Sequence, residues 1–178
     1  MFDLIAPRLR LRTQRLVLRP PGASDAARLA ALANDFEVVK MTGGMPFPYA
    51  LADAEAFVER SRRFDLSRDV DFTLELPGEG LIGGLGFHAR GGLGPEVGYW
   101  LGRPYWGLGL ASEALAAAMA WAQGEWDQRC VVAHHFVDNP ASGVVLVKAG
   151  FLYTGEVAPR PCRARGEDTP SRGMVWLA

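Results

Sequence analysis

Cysteine and histidine are scarce: the chain of 178 residues has two cysteines, Cys130 and Cys162, and three histidines. The cysteines form neither a CxxC pair nor a metal-ligand spacing, so they read as incidental thiols. His88 stands alone and His134-His135 are adjacent. Without a His-x-x-x-His pair or a carboxylate at ligand spacing, no metal site is expected. Long apolar runs are missing too. The charge-free stretch Ala114–Gly124 is about half as long as the roughly 20 residues of a membrane-spanning helix. Met1–Leu11 contains Asp3 and arginines but no apolar core followed by small residues, so no signal peptide is expected and a cytoplasmic location is the default. Net charge is nearly absent as well. With 19 basic and 20 acidic side chains the formal charge is -1, which argues against a nucleic-acid partner held by charge. There are no internal repeats and no low-complexity segments.

The hydrophobic fraction of 49% and charged fraction of 22% are those of a globular chain and too apolar for disorder. The length suits one domain over residues 1–178. Charge is uneven along it. Residues 1–30 are basic, with six arginines against Asp3 and Asp25; residues 31–159 are acidic; residues 160–178 are basic again, with four arginines against Glu167 and Asp168. An acidic middle could steer a cationic acceptor, or be no more than solvated helix faces. Arg8, Arg10 and Arg12 alternate, with Arg15 three residues further on, as the solvated face of a first strand would.

Glycine, 21 residues, and proline, 12, exceed their ordinary shares of roughly 7% and 5%, and they punctuate the elements. A strand is predicted at Leu16–Leu18. Helices are predicted from Ser24 to about Asn34 and from about Asp53 to Phe64, with a loop over Thr42–Tyr49 between them. A meander follows at Phe72–Leu76, Leu81–His88 and Glu96–Leu101. A long helix over Leu110–Ala122, apolar nearly all round, is expected against the sheet. Val131–Val137 is a strand, Ala141–Ala149 a helix with Pro140 at its start and Gly150 as its cap. Phe151–Val157 and Met174–Leu177 are the last strands, with an Arg/Pro-rich loop between them. The order predicts an α/β fold with a mixed sheet.

The segment Trp106-Gly107-Leu108-Gly109-Leu110-Ala111-Ser112 connects the strand Glu96–Leu101 to the long helix. Glycines here let the backbone approach a ligand closely. Donors at a helix N-terminus suit an anion such as a pyrophosphate. Ser112 stands where a GxGxxG fingerprint needs glycine, and no Gly-Lys-Ser/Thr follows for a P-loop. A second cluster, Asp138-Asn139-Pro140-Ala141-Ser142, leads into Lys148-Ala149-Gly150-Phe151.

Together these motifs resemble the GNAT superfamily of acetyl-CoA-dependent N-acetyltransferases. Its Gln/Arg-x-x-Gly-x-Gly/Ala motif corresponds to Trp106–Ala111, and its Asn-x-x-Ser element with Lys-x-Gly-Phe to Asn139, Ser142, Lys148, Gly150 and Phe151. Leu11–Arg19 and Gly98-Tyr99-Trp100-Leu101 are similar to the branch of the ribosomal-protein alanine/serine N-acetyltransferases. Trp106 departs from the usual Gln or Arg, at a position where that branch often carries an aromatic.

The resemblance implies a mostly antiparallel, twisted sheet of about seven strands with four helices, and acetyl-CoA in the splay between two central strands. Pantetheine would lie along Val97, Gly98, Tyr99, Trp100 and Leu101 as an added strand. The pyrophosphate would sit on the turn of Trp106, Gly107, Leu108, Gly109, Leu110, Ala111 and Ser112, with Asn139, Ser142 and Lys148 across the splay. It implies direct attack of a primary amine, a protein N-terminus or a small molecule, on the thioester in a ternary complex. Glu96 is the candidate base, His88 or water the alternatives, and only one of His134 and His135 can face the cleft. Ser142 is the candidate acid for the thiolate, with Tyr99 and Tyr105 as alternatives. Phe47, Tyr49 and Phe57 belong to the region that walls the acceptor cleft, with core packing favoured for Phe57. A non-catalytic acyl-CoA-binding or sensing module would share the glycines. No membrane and no direct nucleic-acid partner are expected, and a homodimer is left open.

Overall fold

The computed structural model describes residues 9–62, 65 and 69–178. Phe64 and Arg8 lie outside them. Eight strands form one sheet in the order β1-β2-β3-β4-β5-β6-β8-β7. They are β1 (Leu11–Arg12), β2 (Val17–Arg19), β3 (Asp69–Leu76), β4 (Gly80–His88), β5 (Glu96–Leu101), β6 (Cys130–Phe136), β7 (Leu152–Cys162) and β8 (Glu167–Leu177). Every neighbouring pair is antiparallel except β5–β6, which is parallel. The helices are α1 (Ala26–Ala33), α2 (Phe36–Val39), α3 (Leu51–Ser61), α4 (Leu110–Gly124) and α5 (Pro140–Lys148).

The sheet is covered on both faces, which is why its central strands are apolar beyond simple alternation. Leu18, Phe72, Leu74, Phe87 and Val97 pack with Leu115, Ala118 and Trp121 of α4. Trp121 stacks on Trp126 and meets the Phe72 ring edge-on at 5.4 Å. A second core joins α1 and α3 to the sheet through Leu29, Ala33, Val39, Ala54, Val58 and Leu81. α4 is less enveloped than its composition predicts. Ala116 and Ala120 are exposed, which small side chains tolerate without penalty.

Two short elements come in addition to the seven strands and four helices expected. β1 is a two-residue pairing with β2. α2 begins where Asp35 accepts a hydrogen bond from the Glu37 N–H at 3.0 Å, an N-cap its four residues do not advertise. α3 starts at Leu51 rather than Asp53, because Asp53 folds back to accept from the Ala50 N–H at 2.9 Å. The larger correction is at the C-terminus. The Arg/Pro-rich stretch is a hairpin of two 11-residue strands, β7 and β8, closed by residues 163–166. Pro159 and Pro161 fit because β7 is the edge of the sheet, where no N–H need be donated outward. A register shift between Tyr153 and Val157 bends this hairpin.

Leu115 is fully buried. Leu115→Ala is expected to cost about 2–5 kcal/mol, read as a lower urea midpoint, whereas Ala120→Ser on the solvent side should change stability by about 0.5 kcal/mol or less.

Candidate functional site

The opening that defines the site lies between β5 and β6. The strands pair only through Glu96 with Val132 and Val97 with Ala133. From Gly98 onward the β6-facing edge of β5 has no strand partner, and the space over Gly98 is open. The predicted cofactor stretch therefore divides. Its backbone edge is available for pairing, while Val97 and Leu101 are buried in the core, Trp100 packs towards α1 and α3, and Tyr99 reaches α5.

Beyond β5, Trp106 donates its indole N–H to the Leu101 carbonyl at 2.8 Å, closing the strand end. Gly107 and Gly109 then take φ of 72° and 75°, left-handed values that cost other residues roughly 1–2 kcal/mol each. Gly109 caps α4, and the first intrahelical bond runs from Glu113 N–H to Gly109 O at 3.1 Å. The N–H groups of Leu110, Ala111 and Ser112 thus precede the helical ladder, and together with the helix dipole they fit a pyrophosphate. Arg15 fixes this turn. Its guanidinium donates to Leu108 O at 2.9 Å and to Glu113 Oε2 at 2.7 Å. Burial pushes the Glu113 carboxyl up, but hydrogen bonds from Thr13 and Arg15 outweigh it and hold the group below its ordinary value. Arg10, Arg12 and Arg15 are all exposed as expected, and Arg15 is in addition bonded to the turn and to Glu113.

Across the opening, Asn139 accepts from the Ser142 N–H at 3.3 Å and caps α5. Tyr99 Oη donates to the Ser142 carbonyl at 2.9 Å and lies 2.9 Å from Ser142 Oγ. Burial, with a smaller contribution from Tyr153, pushes the Tyr99 hydroxyl up to about 12 despite the Ser142 hydrogen bond. Beside it, His135 Nδ1 is 2.8 Å from the Phe136 carbonyl, so Nδ1 carries the proton and Nε2 accepts from Tyr153 Oη at 3.1 Å. Gly143 permits this packing, because a Cβ there would stand 2.5 Å from Tyr153 Oη. Sequence reasoning missed Tyr153 and the role of His135. The available signal was the adjacent histidine pair, which must send one ring to each face of β6. Lys148, in the last turn of α5, is exposed and borders the same cleft. Tyr105 lies apart from this hydroxyl cluster, bonded to Arg28 at 2.8 Å and Glu79 at 3.2 Å.

On the other face the opening widens into a cleft of about 800 Å³. Glu96 stands in its wall with Arg160 Nη1 at 3.0 and 3.3 Å from its two oxygens. His134 Nδ1 lies 3.5 Å from Glu96 Oε2. Burial raises the Glu96 carboxyl, but the contacts with His134 and Arg160 outweigh it and hold the group at about 2. His88 is paired to Asp69 at 3.3 Å and Asp71 at 3.6 Å. Burial, the largest influence, pushes the Asp71 carboxyl up against the His88 charge and the Ser61 hydrogen bond. Tyr49 and Phe57 line the cleft, so Phe57 is more than core. Phe47 instead meets Phe36 edge-on at 5.3 Å. Among the described residues no three His, Cys, Asp or Glu side chains are grouped for a metal, and no helix is long and apolar enough to cross a membrane.

A parallel pair of strands splayed around a glycine-turned helix start is the acetyltransferase arrangement. Residues 15–152 match the acetyltransferase (GNAT) domain family, and the chain belongs to this family of acetyl-CoA-dependent N-acetyltransferases. It is 28% identical over 149 residues to the uncharacterized N-acetyltransferase YoaA of Bacillus subtilis strain 168, covering 82% of this chain and 84% of that protein. Among solved structures it is similar to the microcin C7 self-immunity acetyltransferase MccE, determined with acetyl-CoA and AMP, at a TM-score of 0.80 and 19% identity over 93% of each chain. It is also similar to the ribosomal-protein-S5-alanine acetyltransferase of Vibrio fischeri, at a TM-score of 0.77 and 17% identity over 95% of this chain and 96% of that one. At such identities these likenesses speak for the fold.

Gly109→Val is expected to weaken CoA binding at least tenfold in calorimetry with the far-ultraviolet spectrum unchanged, since a branched side chain cannot hold this φ without strain. The Glu96 pairing predicts an acid effect. Its carboxyl sits at about 2 in the fold against an ordinary 4.5, so its stabilisation is complete above pH 4.5 and lost as pH falls towards 2. Urea midpoints of Glu96→Gln should therefore fall less steeply between pH 5 and pH 2.5 than those of the parent.

Proposed function

We propose that the protein transfers the acetyl group of acetyl-CoA to a primary amine by direct attack in a ternary complex. The observation that carries this reading is the β5 edge left open from Gly98. It has the α4 donors at one end and Glu96 with His134 at the other. Pantetheine paired to that edge sets the thioester beside Val97–Tyr99, where a backbone N–H can take the developing oxyanion. The amine enters from the cleft face of β5, on the side of Glu96. The CoA thiolate leaves on the α5 side, where Ser142 Oγ–H supplies a proton and Tyr99 Oη, 2.9 Å away, can resupply it.

The cleft's own charges bear on the acceptor. Asp53 is bound to the Ala50 N–H, Asp71 to Ser61 and His88, and Glu96 to Arg160. The lining cations Arg60, Arg90, Lys148 and Arg163 form no ion pair with any described residue. An amine that carries a carboxylate, such as a peptide with a free N-terminus, suits this cleft better than a polycation.

CoA release measured with hexapeptides bearing N-terminal alanine or serine, and with spermidine, tests the reading. Peptide turnover exceeding that of spermidine at least tenfold is expected. CoA binding without turnover of any amine would instead mark a non-catalytic acyl-CoA module. Ser142→Ala should lower kcat about 10²-fold, in the range of general acid catalysis, and weaken CoA affinity far less than that.

A further inference from the structure

Glu96 opens the strand that bears the thioester, yet its surroundings do not suit a proton acceptor. Both carboxylate oxygens face Arg160 Nη1, at 3.0 and 3.3 Å. Taking a proton there would break this ion pair. A proton leaving an α-ammonium, which titrates near 8, would also climb about six pK units to a carboxyl held at about 2. The group beside it suits the task better. His134 lies on β6, one strand over, with its side chain only 16% exposed, and it lines the same cleft. Its Nδ1 is buried and makes no hydrogen bond, and the nearest carboxylate oxygen to it is Glu96 Oε2 at 3.5 Å; Nε2 too has no hydrogen-bond partner among the described residues.

We propose that His134 is the base that deprotonates the incoming amine, and that Glu96, itself fixed by Arg160, is a positioning residue that holds its Nδ1–H tautomer. This rests on the amine-acetylation reading above. The Nε2 lone pair takes one proton from the ammonium, giving a neutral amine and an imidazolium. The amine nitrogen bonds to the thioester carbon as the C=O π pair moves to oxygen. Collapse breaks the C–S bond, and the thiolate takes a proton from Ser142 Oγ–H; the second proton of the new amide nitrogen passes to water, and water returns one to Ser142 through Tyr99 Oη, 2.9 Å from Ser142 Oγ. An imidazole titrates near neutrality and so can accept from an α-ammonium and release to water. The carboxylate–imidazole pair is the usual means of fixing the tautomer of such a base. A separation of 3.5 Å is long for the ground state, as catalytic hydrogen bonds often are before substrates bind.

The charges around the ring come from each neighbouring strand. Glu96 lies on β5 and Arg160 on β7. His88 of β4 is in register with Glu96 and is paired to Asp69 and Asp71 of β3. On β8 the register partner of His134 is Gly173, beside which the Glu156 carboxylate of β7 lies.

The test compares the parent, His134→Gln and Glu96→Gln. It uses acetyl-CoA with an N-terminal alanyl or seryl hexapeptide across pH 5.5–9.5, and CoA affinity by calorimetry as a check of folding. His134→Gln should keep CoA affinity and lower kcat about 10²-fold or more. Its acidic limb should no longer level off near neutrality but rise about tenfold per pH unit up to the α-amine's own titration near 8. Glu96→Gln should lower kcat less and move that limb to lower pH, because the imidazolium loses its carboxylate. A His134→Gln enzyme with kcat within twofold of the parent and the limb intact would overturn the proposal. So would loss of the limb in Glu96→Gln alone.

A second measurement needs no acceptor. Nitrogen NMR of the labelled His134 ring should show the Nδ1–H tautomer in the parent and a mixture in Glu96→Gln, and the same mixture in both would also overturn the proposal. Failure of the parent to bind CoA would count against acetyl transfer itself, and the ring spectrum would still decide the pairing of His134 with Glu96.

Discussion

Two residue pairs hold β5 to β6, and everything functional follows from where that pairing stops. A parallel pair joined by a crossover helix ordinarily continues its ladder. Here α4 and α5 occupy the space behind the gap, and Tyr99, bridging from β5 to Ser142 of α5, props the two sides apart. The result is a run of main-chain donors and acceptors on β5 without strand partners, lining an open cleft. A ligand with its own amides, laid along this edge, would pair with them, and a phosphate at the α4 start would take the N–H groups next to them. The opening also puts chemically different faces on either side of one strand, hydroxyls towards α5 and ionic groups towards α1 and α3.

The uneven charge of the chain has a structural counterpart. The basic N-terminal segment supplies Arg15 to Glu113 and Arg19 to Asp25 and Glu75. The basic C-terminal segment supplies Arg160 to Glu96 and Arg165 to Asp138. Chain ends thus neutralise carboxylates of the acidic middle at the edges of the site, so that middle does not make an acidic cleft. Burial alone would raise these carboxyls; His134 with Arg160 at Glu96, Thr13 with Arg15 at Glu113, and Arg165 at Asp138 hold them below their ordinary values. They also tie the terminal hairpin and the first turn to the loops that border the opening.

The parts of this that were legible in the sequence rest on local chemistry. Gly107 and Gly109 mark the turn before the long helix, Pro140 and Gly150 bracket the next one, and β3 to β5 follow from strand patterning between turns. What was hidden rests on distance. Arg160 is 64 positions from Glu96, and its stretch has the prolines of a loop, which an edge strand tolerates. Tyr153 meets His135 only through the register of β7 on β8 and the missing Cβ of Gly143. Glu96 was found from its place on the strand, but its environment, and with it the role of His134, depends on that hairpin.

Amide hydrogen exchange with and without CoA reads whether CoA completes the interrupted sheet along β5 and ends on α4. New protection is expected at residues 98–101 and 108–112 alone, with little change at the N-terminal strands. Protection that leaves those two segments untouched, or falls instead on α1 and α3, would contradict it.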